Sequence, residues 1–236
     1  MKRQLSLDRF VKAEEPEKKK RGVTWTTIER AGLRLEQAVV LGAARCREEF
    51  LHLEREVEYL AGSQAEVRVF GKVHRIPRWE GWVEVWCRQH AAFGDPGVTY
   101  RYSGVTLEAR AWSPALARLR LVVEEATGHS YNFVLVNRYK DGRDKMGEHR
   151  DDERELCRAT PIASLSLGAE RDFVLRPADR RTNTAAPVKV ALRPGTLLLM
   201  LPPTNEEWVH GVPARAACTR PRINLTFRRV VPPARG

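Results

Sequence analysis

The sequence has few cysteines and no long apolar run. Four cysteines occur among its 236 residues, Cys46, Cys87, Cys157 and Cys218, and no two of them form a CxxC pair. This spacing argues against a zinc knuckle and against a secreted disulfide framework, and it favours a reducing compartment, the cytosol or the nucleus. Since no apolar run approaches the length of a membrane-spanning helix, we expect no membrane partner.

Acidic residues are also in deficit. Asp and Glu number 30 against 41 Lys and Arg, which gives a formal net charge of +11 and a pI near 9.9. An excess of this size favours a polyanionic partner, most simply nucleic acid. The hydrophobic content of 42% is enough for one good-sized core, so a single large domain is expected.

Residues 1–22 have the composition of a disordered basic tail. The tail ends in a run of four basic residues at 18–21, which is typical of a nuclear import signal and equally of a solvated charged tail. Earlier in the tail, Gln4, Leu7 and Phe10 have the spacing of the peptide that docks on the replication sliding clamp. We therefore expect nuclear localisation, with the clamp as a candidate partner.

Apolar periodicity predicts two helices followed by strands. Helical spacing covers residues 41–60, and a second helix is expected from Pro114 to about Ala126, with Ser113 as its N-cap and Gly128 at its end. Short stretches of β pattern, separated by Gly and Pro, then cover residues 132–139, 162–167, 172–175, 188–192, 196–201 and 223–231. This order is typical of an α+β, mainly β domain built as a double-sheet barrel.

Residues 222–228 alternate strictly between polar and apolar side chains. Such alternation predicts a β-strand, because successive side chains leave opposite faces of a sheet. The polar face carries Arg222, Asn224, Thr226 and Arg228, and an arginine matches a carboxylate with two parallel N–H groups. If the apolar face packs against a second layer, the polar face lines a cavity suited to a small dianion.

A candidate metal centre accompanies this strand. His149 and Asp151 form a His-x-Asp pair whose side chains leave the same side of an extended segment. His210 is the candidate third ligand, with an ordinary core or surface histidine as the alternative. Two histidines and one carboxylate are typical of non-haem Fe(II) oxygenases, and they leave three positions open. Such a centre needs a chelating two-electron reductant. The keto-acid end and free carboxylate of 2-oxoglutarate suit the arginine-bearing strand. Asn137 and Tyr139, two apart, are placed to add hydrogen bonds, with an ordinary strand end before a turn as the alternative.

Together these motifs resemble the AlkB family. The similarity covers about residues 25–230 and rests on residues 137–142, 147–156, 161–164 and 222–228. It implies a double-stranded β-helix (jelly-roll) with flanking N-terminal helices over residues 23–232. It also implies Fe(II) binding by His149, Asp151 and His210. The implied 2-oxoglutarate ligands are Asn137, Tyr139, Arg222, Asn224, Thr226 and Arg228.

The activity implied by the resemblance is DNA repair. Alkyl groups would be removed oxidatively from 1-methyladenine, 3-methylcytosine and etheno lesions, with O₂ as the oxidant and a preference for double strands. Ascorbate as a supporting reductant and a monomeric state are further expectations.

A lesion-recognition region is implied at about residues 66–110. Alkylation blocks pairing and makes the base cationic, so the base flips out at lower cost and prefers aromatic faces and a nearby carboxylate. Tyr100 and Tyr102 are expected to form a stacking wall, with plain packing as the alternative. Phe70 is expected to fill the gap left by the flipped base, with a buried hairpin position as the alternative. The full set of expected substrate contacts is Phe70, Gly71, Lys72, Tyr100, Arg101, Tyr102, Ser103, Asp152 and Glu153.

Other functions stay open from the sequence alone. A related dioxygenase acting on single-stranded DNA or RNA would share the metal centre and lack an aromatic wedge such as Phe70, which fills the gap left by a flipped base. A non-catalytic basic DNA-binding module would have a broken ligand set, and no ligand is missing here. A metal hydrolase would leave the two inward arginines without a function. The tryptophan-rich segment 78–93 is either an extra hairpin near the DNA or an artefact of the gene model.

Overall fold

The computed structural model describes residues 22–59, 66–69, 72–75, 89–102, 105–151, 153–179 and 181–231. Several predictions from sequence fall outside these ranges. They are the clamp-binding residues of the tail, the wedge Phe70 with Gly71, most of the tryptophan-rich segment, Ser103 and Asp152.

Within the described ranges the chain forms three helices and fifteen strands. The helices are α1 (Ala43–Glu56), α2 (Pro114–Thr127) and α3 (Thr204–Glu207). The strands are β1 (Thr26–Arg30), β2 (Leu33–Val39), β3 (Glu66–Val69), β4 (Lys72–Arg75), β5 (Gln89–Gly94), β6 (Thr99–Tyr102), β7 (Val105–Glu108), β8 (Phe133–Tyr139), β9 (Met146–His149), β10 (Ile162–Gly168), β11 (Arg171–Pro177), β12 (Val188–Leu192), β13 (Thr196–Leu201), β14 (Trp208–Val212) and β15 (Arg222–Arg228).

Two antiparallel sheets form the barrel. The major sheet has the order β1-β2-β13-β10-β15-β8-β5, and the minor sheet has the order β12-β11-β14-β9. Strand β15 therefore lies between β10 and β8, inside the major sheet. Apolar side chains from both sheets meet in one buried cluster that includes Leu198, Met200, Phe173 and Leu175. The expected double-sheet, mainly β architecture is confirmed.

Helices α1 and α2 cover the outer face of the major sheet. Leu53 of α1 and Leu119 of α2 share a buried cluster with Ile223, Leu225 and Phe227 of β15. Burying a side chain of this size contributes roughly 1.5–3 kcal/mol. The apolar face of β15 thus packs against a second layer, as its alternation predicted, and its polar face is left to the barrel interior.

The helix boundaries differ in part from the expectation. Helix α1 is shorter than residues 41–60, because Leu41 precedes it and Val57 already has extended backbone angles, φ −91° and ψ 113°. Helix α2 ends one residue later than expected. It begins after Ser113, whose side chain accepts a hydrogen bond from the Leu116 amide, and stops at Gly128, whose φ of 73° favours glycine.

The sequence did not predict the strands β1 and β2, which precede helices α1 and α2. Strand β1 is at the edge of the major sheet, and β2 lies between β1 and β13. Strand β1 is largely exposed, so burial imposes no strict alternation on it. In β2 only part of the alternation is apolar, with Leu33 and Leu35 buried. Strand β2 pairs with β13 and β1 pairs with β2, which places both strands in the major sheet. No helix in the described ranges is long and apolar enough to cross a membrane.

Candidate active site

The minor sheet brings the two candidate histidine ligands together. Strands β14 and β9 pair with His210 opposite His149, and the register then shifts before Val212. Gly211 lies in this shift, and a Cβ at its position would come within 2.9 Å of the Met146 carbonyl oxygen. The close approach of the two strands thus requires glycine after His210, and it sets the histidine rings 4.3 Å apart between centroids.

Asp151 completes a group of three possible metal ligands. One donor atom from each of His149, Asp151 and His210 lies within 4.8 Å of the others, and His149 Nε2 is 3.7 Å from Asp151 Oδ1. His149 Nδ1 lies 3.0 Å from the Gly147 carbonyl oxygen. That hydrogen bond requires the proton on Nδ1, which puts the lone pair of the ring on Nε2, the atom that would bind a metal ion.

The protonation states of this group suit metal binding. Burial, assisted by the neighbouring His149 and opposed by Asp151, lowers the pKa of His210 to about 3, so the imidazole is neutral at physiological pH. Burial opposes ionisation of Asp151, but the Arg228 guanidinium and the two histidines together outweigh it and lower the pKa of that carboxyl to about 2. A neutral imidazole and an ionised carboxylate are the forms that bind metal ions.

Arg228 is held by the candidate ligand Asp151. Its Nε and Nη2 atoms donate to Asp151 Oδ2 at 3.1 and 2.6 Å, and Nη1 donates to the Thr226 carbonyl oxygen at 3.4 Å. Both side chains are almost fully buried. Burial opposes the charge on Arg228, but Asp151 raises its pKa. The sequence had placed Arg228 among the 2-oxoglutarate ligands and had not anticipated this ion pair.

Tyr100 lies beneath Arg228. The guanidinium carbon of Arg228 is 5.2 Å from the centre of the Tyr100 ring, and the ring centroid of Phe133 is 4.6 Å away. Tyr100 is fully buried, so it is a support for Arg228 in this structure, and stacking on a base from this position would require the ring to become accessible. Nearby, burial raises the pKa of Glu153 to about 7, opposed by Arg228 and assisted by Asp151.

The polar face of β15 meets polar side chains of both neighbouring strands. Arg222 pairs across from Tyr139 and Asn224 from Asn137 in β8, while Asn224 and Thr226 lie opposite Ser166 and Ser164 in β10. Hydrogen bonds join Asn224 Nδ2 to Thr226 Oγ1 at 2.8 Å and Ser164 Oγ to Asn224 Oδ1 at 2.9 Å. The cavity formed in this way is also lined by the three candidate metal ligands.

Arg222 has open donors in this cavity. Its Nη2 atom donates to Ser166 Oγ at 3.0 Å and to Asn224 Oδ1 at 2.6 Å, and its guanidinium lies 5.1 Å from the Tyr139 ring centre. The buried Nε and Nη1 atoms find no hydrogen-bond partner among the described residues. Burial lowers the pKa of Arg222 to about 10, so it is still cationic at neutral pH. Open cationic donors in a buried cavity fit a carboxylate.

The sequence overlooked several residues of this site. Ser164 and Ser166 are two apart on β10, and this spacing was a usable signal. Asn205 is hydrogen-bonded to the backbone of Asp151, and no local sequence pattern predicts this contact. Arg171 is fully buried and donates to the carbonyl oxygens of residues 141, 142, 144 and 213, which fixes the loops beside Tyr139.

The structure places the lesion-recognition residues only in part. Lys72 lies on β4, and Arg101 and Tyr102 lie with Tyr100 on β6. These strands belong to two small sheets, β3–β4 and β6–β7, outside the barrel. Glu153, by contrast, lies next to the metal-ligand candidates.

Comparison with known proteins identifies the family. The model of the 2OG-Fe(II) oxygenase superfamily matches residues 43–228. The chain is 47% identical over 214 residues to "DNA oxidative demethylase ALKBH2" of Homo sapiens, covering 89% of this chain and 78% of that protein. It is 46% identical over 215 residues to the Bos taurus protein of the same name, covering 89% and 74%. A shorter match, 43% over 145 residues, is to "Alpha-ketoglutarate-dependent dioxygenase alkB homolog 3" of Homo sapiens, covering 59% of this chain and 51% of that protein.

The fold agrees with this assignment. A solved structure titled "The structure of OsALKBH1" superposes with a TM-score of 0.56 at 14% identity, covering 87% of this chain and 100% of that chain. At this identity the likeness concerns the fold alone. The family model spans most of the chain, and the relatives share nearly half of their residues with it over almost its whole length. The chain therefore belongs to the AlkB family of the 2OG-Fe(II) oxygenase superfamily.

Proposed function

We propose that the chain is a DNA oxidative demethylase that removes alkyl groups from 1-methyladenine, 3-methylcytosine and etheno lesions, with a preference for double strands. The observation that carries the proposal is one buried cavity that holds both the group of His149, Asp151 and His210 and the open donors of Arg222. The near-full-length identity to proteins named DNA oxidative demethylase supports DNA as the substrate.

His149, Asp151 and His210 would hold Fe(II). The donor set is the two-histidine, one-carboxylate group that Fe(II) oxygenases use. Its His210 imidazole is neutral and its Asp151 carboxylate is ionised, which are the forms that bind a metal ion. When bound, the iron with 2-oxoglutarate and O₂ supplies the oxidation of the N-alkyl group, which then leaves the base as an aldehyde. Arg228 holds the second oxygen of Asp151, so Oδ1 is the atom left for the metal.

Arg222 would bind a carboxylate of 2-oxoglutarate with its open N–H groups. Asn137, Tyr139, Asn224 and Thr226 lie on the same inner face and would orient the molecule. Arg228 lines the same cavity. It would contact the cosubstrate while it stays paired with Asp151. The inner-face side chains of β15 are all buried, so this face is shielded from bulk water and the arginine charge acts in a medium of low dielectric constant.

The cationic base would be recognised beside the metal centre. Glu153 lies there as a carboxyl with a pKa near 7, and Asp152 would add the second acidic group that faces the base. Tyr102, Arg101, Ser103 and Lys72 would contact the base and its flanking phosphates.

Preference for duplex DNA would depend on Phe70 and Gly71. A flipped base leaves a hole in the stack, and an aromatic wedge fills it.

We also propose nuclear localisation, a monomeric enzyme, support by ascorbate, and binding of the tail residues Gln4, Leu7 and Phe10 to the replication sliding clamp. The basic net charge of +11 suits the DNA partner.

A paired-substrate assay tests the proposal. The protein is incubated with Fe(II), 2-oxoglutarate and ascorbate on oligonucleotides that carry 1-methyladenine, either single-stranded or annealed, at one salt concentration. We expect conversion to adenine with release of formaldehyde and succinate, faster on the duplex, and a larger loss on the duplex in Phe70→Ala. Conversion of single-stranded RNA alone would instead support the related dioxygenase, and DNA binding without conversion would support the non-catalytic module.

A further inference from the structure

The segment that carries Asp151 is held by the short helix α3. Asn205 of α3 makes a reciprocal pair of hydrogen bonds to the Asp151 backbone. The Asp151 amide donates to Asn205 Oδ1 at 3.0 Å, and Asn205 Nδ2 donates to the Asp151 carbonyl oxygen at 2.5 Å. One side chain therefore restrains the peptide groups on both sides of the Asp151 Cα atom.

Helix α3 is itself fixed to the major sheet. The buried Thr204 hydroxyl accepts a hydrogen bond from the Arg34 amide at 2.7 Å and donates to the Arg34 carbonyl oxygen at 2.9 Å. Arg34 lies in β2, opposite Leu201 of β13. Asn205 thus follows a residue, Thr204, that is hydrogen-bonded to the backbone of the sheet. The position of Asn205 is therefore set by the sheet and not by the Asp151 segment.

The other bonds between α3 and this segment are exposed. Arg150 donates to the Glu206 carbonyl oxygen at 2.8 Å, and Arg158 donates to Glu206 Oε1 at 3.0 Å. Solvent-exposed interactions of this kind restrain a loop weakly. Asn205 is the part-buried contact that touches Asp151 itself.

We propose that Asn205 is a positioning residue that sets the metal affinity of the site by fixing the backbone of Asp151. The inference rests on the proposed role of Asp151 as a ligand. Arg228 restrains the Asp151 carboxylate at Oδ2, and Asn205 restrains its backbone, so that Oδ1 points toward His149 Nε2 at 3.7 Å before any ion arrives. Groups that orient a ligand in this way typically change metal affinity by about 10–100-fold.

A matched control exists in the same chain. Asn132 makes the same reciprocal pair, accepting from the Val230 amide at 2.7 Å and donating to the Val230 carbonyl oxygen at 2.8 Å, and it too is partly buried. Val230 is not a proposed ligand. It lies two residues beyond Arg228, so loss of the Asn132 pair also tests whether general loosening near the site is sufficient.

The experiment compares Mn(II) binding to the metal-free full-length chain and its variants, with free Mn(II) followed by electron paramagnetic resonance. We expect Asn205→Ala to weaken Mn(II) binding at least about tenfold and Asn132→Ala to leave it within about twofold, although both lower the melting temperature. In turnover, Asn205→Ala should need more Fe(II) for half-maximal rate and recover when Fe(II) is saturating. If Asn205→Ala does not fold, Asn205→Gln, which keeps the amide one methylene out of place, takes its part in the same comparison.

Equal Mn(II) affinity in the Asn205 and Asn132 variants would overturn the inference. Asp151→Ala in the same titration separates this failure from a wrong metal site. If Asp151→Ala loses Mn(II) and Asn205→Ala does not, Asp151 is still a ligand and only the positioning role is rejected. If Asp151→Ala also binds Mn(II) normally, the proposed metal site itself is wrong.

Discussion

The two ends of strand β15 carry the same residue type in opposite situations. Arg228 is buried and paired, with two of its nitrogens on Asp151. Arg222 is equally buried, but two of its nitrogens find no partner in the described part of the chain. The pKa of Arg228 is raised by its carboxylate partner, whereas burial lowers the pKa of Arg222 to about 10. One arginine stabilises a neighbour within the protein, and the other has donors that are open for the proposed cosubstrate.

This difference shows what alternation along a strand determines and what it leaves open. Alternation puts both arginines on the inner face, because their Cβ atoms leave the same side of the sheet. The partner of each depends on other segments: Arg228 meets Asp151, which follows β9 in the minor sheet, and Arg222 meets Ser166 of β10. Four tests address the contrast between the two ends.

The largest effect is expected at the Arg228 end, from Asp151→Ala. The change removes a proposed metal ligand and leaves Arg228 buried without its counter-charge, which costs roughly 3–5 kcal/mol of folding stability. We expect at least about a 100-fold loss of turnover, since even outer groups cost 10–100-fold. Turnover on 1-methyladenine and denaturant unfolding of the metal-free protein measure the two losses.

Asp151→Asn is the control for that variant, because it keeps an oxygen for Arg228 and removes the negative charge. It should lose turnover as fully as the alanine variant while unfolding at a higher denaturant concentration. Normal turnover in either variant would show that Asp151 is not a ligand.

Substitution of each arginine by lysine should separate the two ends. Lysine keeps the charge and loses the planar fork. We expect Arg222→Lys to raise the 2-oxoglutarate concentration for half-maximal rate about tenfold, which is about 1.4 kcal/mol, with little change in Fe(II) requirement. Arg228→Lys should raise the Fe(II) requirement as well. An unchanged 2-oxoglutarate requirement in Arg222→Lys would mean that its open donors do not bind the cosubstrate.

The stability of the folded chain should depend on pH through groups near Arg228, namely His210 and Glu153. The folded pKa of His210 is about 3, below its ordinary value of 6.5, so the unfolded chain binds the extra proton and stability falls as pH drops below about 6.5. The folded pKa of Glu153 is about 7, above its ordinary value of 4.5, so stability rises as pH drops from 7 to 4.5. The two contributions oppose each other between pH 6.5 and 4.5.

In Glu153→Gln the opposing contribution of Glu153 is removed. The free energy of unfolding should then fall with decreasing pH because of His210, by up to about 1.4 kcal/mol for each pH unit. His210→Asn should show the reverse slope. Denaturant unfolding of the metal-free proteins between pH 6.5 and 4.5 measures both slopes, and Arg222→Lys serves as the variant that leaves them unchanged. Parallel curves for wild type and both variants would contradict the assigned pKa shifts.

The smallest effect is expected from Ser166→Ala. The hydroxyl accepts one hydrogen bond from Arg222 at 3.0 Å, and a bond to a charged group is worth about 1.5–3 kcal/mol at most, with Asn224 still in place. We expect a few-fold rise in the 2-oxoglutarate requirement and no change in Mn(II) binding. A change in Mn(II) binding of the same size would show that the two ends of β15 are coupled.

Much of the site could be predicted because its elements have local signatures. The alternation of β15 identified its inner and outer faces, and the two-residue spacing of His149 and Asp151 indicated groups that leave one side of an extended segment. Helix α2 could be placed by Ser113 and Gly128, since a cap and a left-handed glycine are local features.

What could not be predicted depends on pairing between distant segments. The partners Asp151 and Arg228 are 77 residues apart, and Arg222 and Ser166 are 56 apart. Strands β1 and β2 escaped prediction because one is exposed and the other only half apolar, so that β13, and not their own sequence, determines their place. The buried position of Tyr100 is a similar case, since Phe133 and Arg228 cover it from other strands.

The place of β15 between β10 and β8 has a consequence for how the chain folds. Strands β8 and β10 are synthesised well before residues 222–228. In the folded sheet they do not pair with each other, because β15 lies between them. The two halves of the major sheet therefore keep exposed strand edges until residues 222–228 have been synthesised. Such non-local closure is slow and favours aggregation, so the protein's yield in a cell should depend on how well those edges are protected during translation.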